Sequence, residues 1–488
     1  MYFHKKGKTG MTDLNKKEAF VPINTKANTA KAWIVAAGPL IYLLSVSSMM
    51  NVRNSLSSVI FEEAGATTYY ALIMTITNLT GTLFAPLVSR LSDFFGRKRV
   101  ATIMLIPMIF CIIGVGFAKG AFALGIAYAL FGIIYSAITA LPNGLFMDAY
   151  DKESSSQFIS IGNSFQNLAA MLAPLLVGVA ADKFGAQSSF MLISLVLLVV
   201  AFVLTKCLYP DIKVNTISKV KLDYKGIFSM WLMVGPICLA LSLAGKELPW
   251  SSPWIYALIA VSAVFCFVFY RVEQKSEQPI ISFSIFKAKG FVVIPLLIFT
   301  GTVASQFTTY LTLYGRTTMG LSSTQLGYLG IMSWVAIVLN PFIGIWLSKK
   351  ANYRTCLTIS SLLIVIAGVM IAFVVKPDTP LWVLCFIRTC TYLINVFSIA
   401  PIFSYLGRVL PANKRGMGLG IASLCYSVGN SVVTAIYALV LNAFGSDIAV
   451  AFSPLGILLL SVAVVRIFIG LRLRNPEDMC EDIAAQEK

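Results

Sequence analysis

Apolar residues fill this chain in runs of about 20, too long and unbroken for the alternation of a half-buried strand or the single apolar stripe of a soluble helix. A run of that length crosses a ~30 Å hydrocarbon layer as an α-helix, and such runs recur from Trp33 to Ile469. Polar breaks between them predict about fourteen helices, at 32–58, 67–90, 99–118, 122–147, 157–180, 187–208, 226–245, 253–270, 291–314, 325–348, 355–375, 381–407, 416–443 and 448–470. Backbone amides in hydrocarbon must be bonded within their own segment, which helices achieve. The expected fold class is an all-α polytopic membrane protein.

Composition agrees. Of 488 residues 58% are hydrophobic and 12% charged, about half the charged share of soluble domains. A cytosolic enzyme, a secreted disulfide scaffold and a disordered chain are excluded. The net charge of +17 in a soluble protein would suggest nucleic acid, but its distribution reads differently. With the N-terminus placed inside, 31 of the 38 basic residues fall in the tails and loops of that side. Basic residues collect in the cytoplasm because they translocate poorly. The expected location is the cell membrane, multi-pass, with both termini cytoplasmic and no nucleic-acid partner. Residues 1–31, with seven Lys and no apolar core, read as a cytoplasmic tail. Nine Cys without a C-x-x-C, and a single His at position 4, indicate neither a disulfide framework nor a metal site. No G-x-x-x-x-G-K-[ST] loop is present to bind a nucleotide, and no cofactor or catalytic constellation is expected.

The strongest local signal is the turn between helices 2 and 3, Ser89-Arg90-Leu91-Ser92-Asp93-Phe94-Phe95-Gly96-Arg97-Lys98-Arg99. Gly96 supplies the freedom a tight turn needs, and three cations hold it at the cytoplasmic surface. A weaker echo follows helix 10, Gly344 to Lys350 and then Arg354, as internal duplication would produce. The chain therefore resembles the major facilitator superfamily, whose signature G-x-L-x-D-R-x-G-R-[KR]-[KR] is matched at Asp93, Gly96, Arg97, Lys98 and Arg99. Two extra central helices, framed by Leu222–Gly226, Pro249–Trp254 and Gln278-Pro279-Ile280-Ile281, are similar to the insert of its fourteen-helix drug:proton antiporter branch. The resemblance implies two pseudo-symmetric six-helix bundles, 32–208 and 291–472, joined by a 209–290 linker with two inserted helices and followed by a 473–488 tail. It also implies a cytoplasmic latch of Asp93, Arg97 and Asp148, the last at the end of helix 4. The chain departs from the branch where Val46 takes the place of a first-helix Asp, Tyr128 that of a helix-4 Arg, and Ala173–Gly178 part of the antiporter pattern.

Ions inside a membrane are costly and point to function. No Asp or Glu falls mid-span, which disfavours lipophilic cations as cargo. Arg388 lies within helix 12, with Tyr392 and Asn395 at i+4 and i+7 on one stripe, and Arg53 lies in the outer half of helix 1. A guanidinium stays charged and offers a planar fork to carboxylate, sulfate or phosphate. Asn163, Gln166 and Asn167 share a face of helix 5, and Gln306 lies in helix 9. Each is equally readable as interhelical glue, Arg388 as a donor to backbone carbonyls and Arg53 as snorkelling outward. The expected function is secondary transport of a small amphipathic organic solute, neutral or anionic, by a monomer, with drug-like efflux first. Proton- or ion-coupled uptake of an organic anion such as a bile acid, and a membrane sensor that transports nothing, remain as alternatives. A coupling proton or ion is left open.

Overall fold

Lipid is the solvent that sorts these side chains. Phe110, Phe122, Trp254 and Trp382 stand well over half exposed on the periphery, while Arg53, Arg466, Ser194 and Thr302 are buried, the inverse of a soluble globule. The computed structural model describes residues 29–150, 152–210, 223–244, 248–276, 292–340, 342, 353–409, 415–444 and 447–473. The helices in order are α1 (Thr29–Glu63), α2 (Tyr70–Phe95), α3 (Arg97–Phe117), α4 (Gly120–Ala149), α5 (Lys152–Phe184), α6 (Ala186–Leu208), α7 (Tyr224–Leu243) and α8 (Pro253–Lys275). There follow α9 (Val293–Thr317), α10 (Ser323–Ile331), α11 (Tyr353–Val369, continued by a π-turn to Val374), α12 (Leu381–Val409), α13 (Arg415–Ala443) and α14 (Ile448–Leu471).

Among the described residues eleven helices are long and apolar enough to cross a membrane, and Gly120–Tyr135 adds a shorter apolar stretch, compatible with the expected fourteen. The tenth helix is broken by a turn at 332–333 and resumes at 334–340. It starts on a capping box in which Ser322 and Gln325 bond each other's backbone, satisfying donors a helix start leaves open. Helices run past their apolar cores, α1 by several residues at its end, because amide groups gain nothing by unwinding at the membrane surface. Gly96, at φ +88°, makes the one-residue link between α2 and α3 in a region a Cβ disfavours.

Helix α1 packs on α4, α5 and α6, α2 on α4, and α3 on α4 and α6; later in the chain α9 packs on α12, α13 and α14, and α11 on α12 and α14. Helices α7 and α8 pair with each other, and α7 lies across the place where α2 meets α13. The Trp231 indole donates to Leu83 O of α2 (2.6 Å), and Asn442 of α13 donates to Ser242 O of α7 (2.9 Å). The outer helix α8 presents Trp254, Tyr256 and Phe267 to lipid.

Among the described residues, the charged contacts between the two groups lie on the face where α1 ends, here the far face. There Arg316 of α9 pairs with Glu62 of α1 at 2.8 Å. Asp182, ending α5, accepts from the Ser323 and Thr324 amides that open α10, both at 2.9 Å, a charge placed on a helix's positive end. Backbone meets backbone along α5 and α10. A Cβ on Gly178 would stand 2.5 Å from Ser323 O, one on Gly327 2.7 Å from Pro174 O, and one on Gly330 2.7 Å from Ala170 O. Small residues allow such approach in lipid, where dispersion rather than water drives association.

Candidate functional site

Four polar side chains lie near the middle of their helices: Asn167 of α5, Gln306 of α9, Asn395 of α12 and Asn430 of α13. A shared height arises because each helix needs similar length to span, so mid-helix residues fall in one layer. The layer divides into a seam and a lining. In the seam, Asn78 of α2 donates to Thr434 Oγ1 of α13 (2.9 Å) and to Gln306 Oε1 (3.4 Å), while Thr434 Oγ1 donates to Gln306 Oε1 (3.2 Å). One turn on, Thr82 meets Ser431 Oγ and Ser427 O, each at 2.8 Å. Gln306 thus joins the two groups of helices, through bonds of about 0.6 kcal/mol each.

Arg388 is half-buried, about two turns toward the far face from Asn395. Its Nη2 donates to the Tyr392 hydroxyl (3.0 Å), and its Cζ lies 4.5 Å from that ring's centroid. The i, i+4 spacing makes this pairing available on a helix face. Tyr392 packs in one apolar cluster with Tyr426 of α13, Met332 beside the α10 turn and Ala170 of α5. The Asn395 and Asn430 side-chain oxygens are buried without a hydrogen-bond partner, acceptors that favour a donor between the helices. On α5, Asn163, Gln166 and Asn167 are half-buried, Asn167 donates to Asn163 O (2.9 Å), and Ser333 donates to Asn167 O (2.9 Å).

Arg53 stands apart from this lining. It is 2% exposed, inside the α1–α6 group and not snorkelling outward. Its Nε and Nη2 both donate to Asn54 Oδ1, at 3.3 and 2.8 Å, and its Cζ lies 4.8 Å from the Phe131 ring and 5.5 Å from that of Tyr128. The two candidate arginines therefore occupy different groups of helices and do not share one pocket wall.

Of the turn motif, Gly96 carries the positive φ noted above, and Lys98 donates to Lys206 O of α6 (3.0 Å) while Arg99 is exposed. Arg97 lies so close to α4 that a Cβ on Gly144 would stand 2.1 Å from its Nη1. Gly144 is one turn before Asp148. The side chains of Asp93 and Asp148 lie outside the described ones. A Gly144→Val substitution is expected to expel Arg97 and slow turnover several-fold while leaving cargo affinity in detergent unchanged; initial-rate transport beside equilibrium binding checks it.

Charge counting by loops missed Arg466. Assigned by sequence to the cytoplasmic end, it is fully buried in α14. Its guanidinium donates to Leu297 O, to Thr300 Oγ1 (2.9 Å), to Ser360 Oγ (3.3 Å) and to Ser398 Oγ. Those acceptors belong to three other helices, so only its position five residues inside an apolar run hinted at burial. Removing one residue from the tally leaves its asymmetry intact.

Known proteins agree with this architecture. Residues 40–434 match the Major Facilitator Superfamily. The chain is 26% identical over 438 residues to Multidrug resistance protein 3 of Bacillus subtilis (strain 168), covering 88% of this chain and 83% of that protein. Its fold is similar to a crystal structure of the peptide transporter POT, with TM-score 0.64 at 16% identity over 93% of this chain and 100% of that one. It is also similar to the human organic anion transporter MFSD10 (TETRAN), with TM-score 0.60 at 14% identity over 90% and 99%. With its family model matched over most of its length and its helices laid out as in solved transporters, the chain belongs to the Major Facilitator Superfamily: a multi-pass membrane transporter, not an enzyme, whose multidrug-resistance relatives fit the drug:proton antiporter branch.

Proposed function

We propose that this protein moves a small amphipathic organic solute, neutral or anionic, out of the cell by alternating access, with residues 32–208 and 291–472 rocking as two bodies about the mid-helix layer. In this reading the protein lies in the cell membrane with the face where α1 begins cytoplasmic, an orientation that lysine and arginine asymmetry supports. The far face, where Asp182 of α5 caps α10, is in this reading the outer one.

One observation carries the choice of cargo. Each Asp or Glu of the described helices lies in the terminal few residues of its helix, whereas Arg388 stays half-exposed two turns from the middle of α12. A lipophilic cation would meet an arginine and no carboxylate there, at a cost that a low dielectric amplifies. An anion would find the guanidinium fork, with Tyr392 as platform and Asn163, Gln166 and Asn395 as hydrogen-bonding groups for the rest of the molecule. Bacillus subtilis Multidrug resistance protein 3 supports efflux as the first reading. Uptake of an organic anion is the second, favoured by the same arginine and by the absence of a first-helix Asp, Val46 standing there. Asp93, Arg97 and Asp148 act in this reading as the inner latch, closing when the outer face opens.

Counterflow in proteoliposomes with cationic, neutral and anionic solutes, with and without a pH gradient, tests the proposal. Anions are expected to exchange in preference to cations, and Arg388→Gln to raise an anion's KM about tenfold with little change for neutral cargo. Preferential exchange of lipophilic ammonium ions would refute the cargo reading, and the pH arm reports whether a proton is carried.

A further inference from the structure

Two fully buried arginines give this chain an internal comparison. Arg466 donates from Nη1 and Nη2 to one backbone carbonyl and three hydroxyls, each on another helix, and only its Nε is buried without a partner. Arg53 has one acceptor, Asn54 Oδ1, shared by two of its nitrogens, and its Nη1 is buried without a hydrogen-bond partner. Its other close neighbours are the faces of Phe131 and Tyr128. Cation–π contact offsets part of the lost hydration, but a ring face does not accept from Nη1. Among the described residues no ion pair reaches Arg53. A charge taken so far out of water needs a counter-charge or a full set of acceptors.

The wall around it carries donors. The Tyr128 hydroxyl is buried and lacks a partner, and the hydroxyls of Tyr70, Tyr128 and Tyr135 lie within electrostatic reach of the guanidinium. A permanent cation with a spare N–H, beside a phenol with a spare O–H, is a pair of donors lacking the same thing. The missing group accepts hydrogen bonds, carries negative charge and is small, since Arg53 is 2% exposed and aromatic rings take up the space beside it.

We propose that Arg53 and Tyr128 form a buried site for one small monovalent anion, a halide or a compact carboxylate, inside the α1–α6 group. The site is separate from the Arg388 lining and does not rest on the assignment of cargo. Its occupant neutralises Arg53 and ties α1 to α4. Chloride from solution and the carboxylate of a bound solute share the required chemistry.

Thermal unfolding of the purified full chain in detergent, with gluconate replaced at constant ionic strength by chloride, bromide or acetate, distinguishes them. Chloride and bromide are expected to raise Tm by several degrees along a saturating curve up to ~150 mM, as a ligand bound only by the folded state does. Arg53→Gln is expected to abolish the dependence, and Tyr128→Phe to raise the half-saturating concentration several-fold. A response to acetate but not to halides supports the site and assigns it to a solute's carboxylate. Equal Tm in all four salts overturns the proposal, as does an anion response retained in Arg53→Gln. Should Arg53→Gln fail to fold, Tyr128→Phe decides, and an unchanged half-saturating concentration in it overturns the site.

Discussion

Gly330→Val is expected to abolish transport while leaving the protein folded in the membrane. A Cβ at Gly330 would stand 2.7 Å from Ala170 O and 2.9 Å from the Pro174 ring. Neither neighbour can yield, one being backbone inside a helix and the other a ring closed onto its own nitrogen. Helices α5 and α10 must move apart, and overpacking of this kind costs about 1–3 kcal/mol. That cost falls only on the conformation in which the two helices touch. It shifts the population away from the closed far face by roughly 5- to 150-fold, and a transporter that cannot reseal one side does not complete its cycle. Spin labels at Thr67 and Thr318, which both line a far-face cavity of about 440 Å³, are expected to separate in Gly330→Val, in a background lacking the native cysteines. Gly330→Ala is expected to give an intermediate distance and a partial rate. Unchanged distance together with normal counterflow would show that α5–α10 contact is not required.

The same glycine shows where reading the sequence stops. Long apolar runs announce spanning helices because the hydrocarbon thickness sets their length, so the helices were legible to within a few residues. The break at 332–333 was not, since Ile331-Met332-Ser333-Trp334 contains neither Gly nor Pro. Gly178, Gly327 and Gly330, like Gly38 and Gly132, face the backbone of another helix, a property of two helices that hydropathy along one cannot register. Asp182 was legible as a carboxylate at a helix end; that it caps α10 of the other group depends on where α10 starts in space. Arg388 and Tyr392 were readable as a pair because they are one helical turn apart. Gln306 was readable as polar and inward, but its bonds to Asn78 and Thr434 span 228 and 128 residues, and no local spacing encodes them.

Arg466 is the residue for which distance along the chain hides most, and Arg466→Ala is expected to destabilise the α9–α14 half more than any other single truncation of a polar side chain there. Thr300 and Ser360 already donate to carbonyls of their own helices, at 2.9 Å and 3.1 Å, which leaves their lone pairs turned toward the guanidinium. Four acceptors from α9, α11 and α12 thus converge on one side chain of α14, and charge-assisted bonds are the stronger kind. Alanine removes the donors and opens a cavity, a loss of about 3 kcal/mol, which for a unit of this size lowers Tm by roughly 6–12 °C. Arg466→Met fills the volume without the charge. Because burying an ion costs several kcal/mol by itself, part of the lost bonding is returned, and Met is expected to fall between alanine and the native chain. Arg466→Lys keeps the charge but lacks the planar fork that reaches several acceptors at once, so it is expected to behave more like alanine than like arginine. Thermal unfolding in detergent orders the three variants. Lysine matching arginine would mean that charge alone holds the cage, and alanine matching arginine would mean that the four helices pack without it.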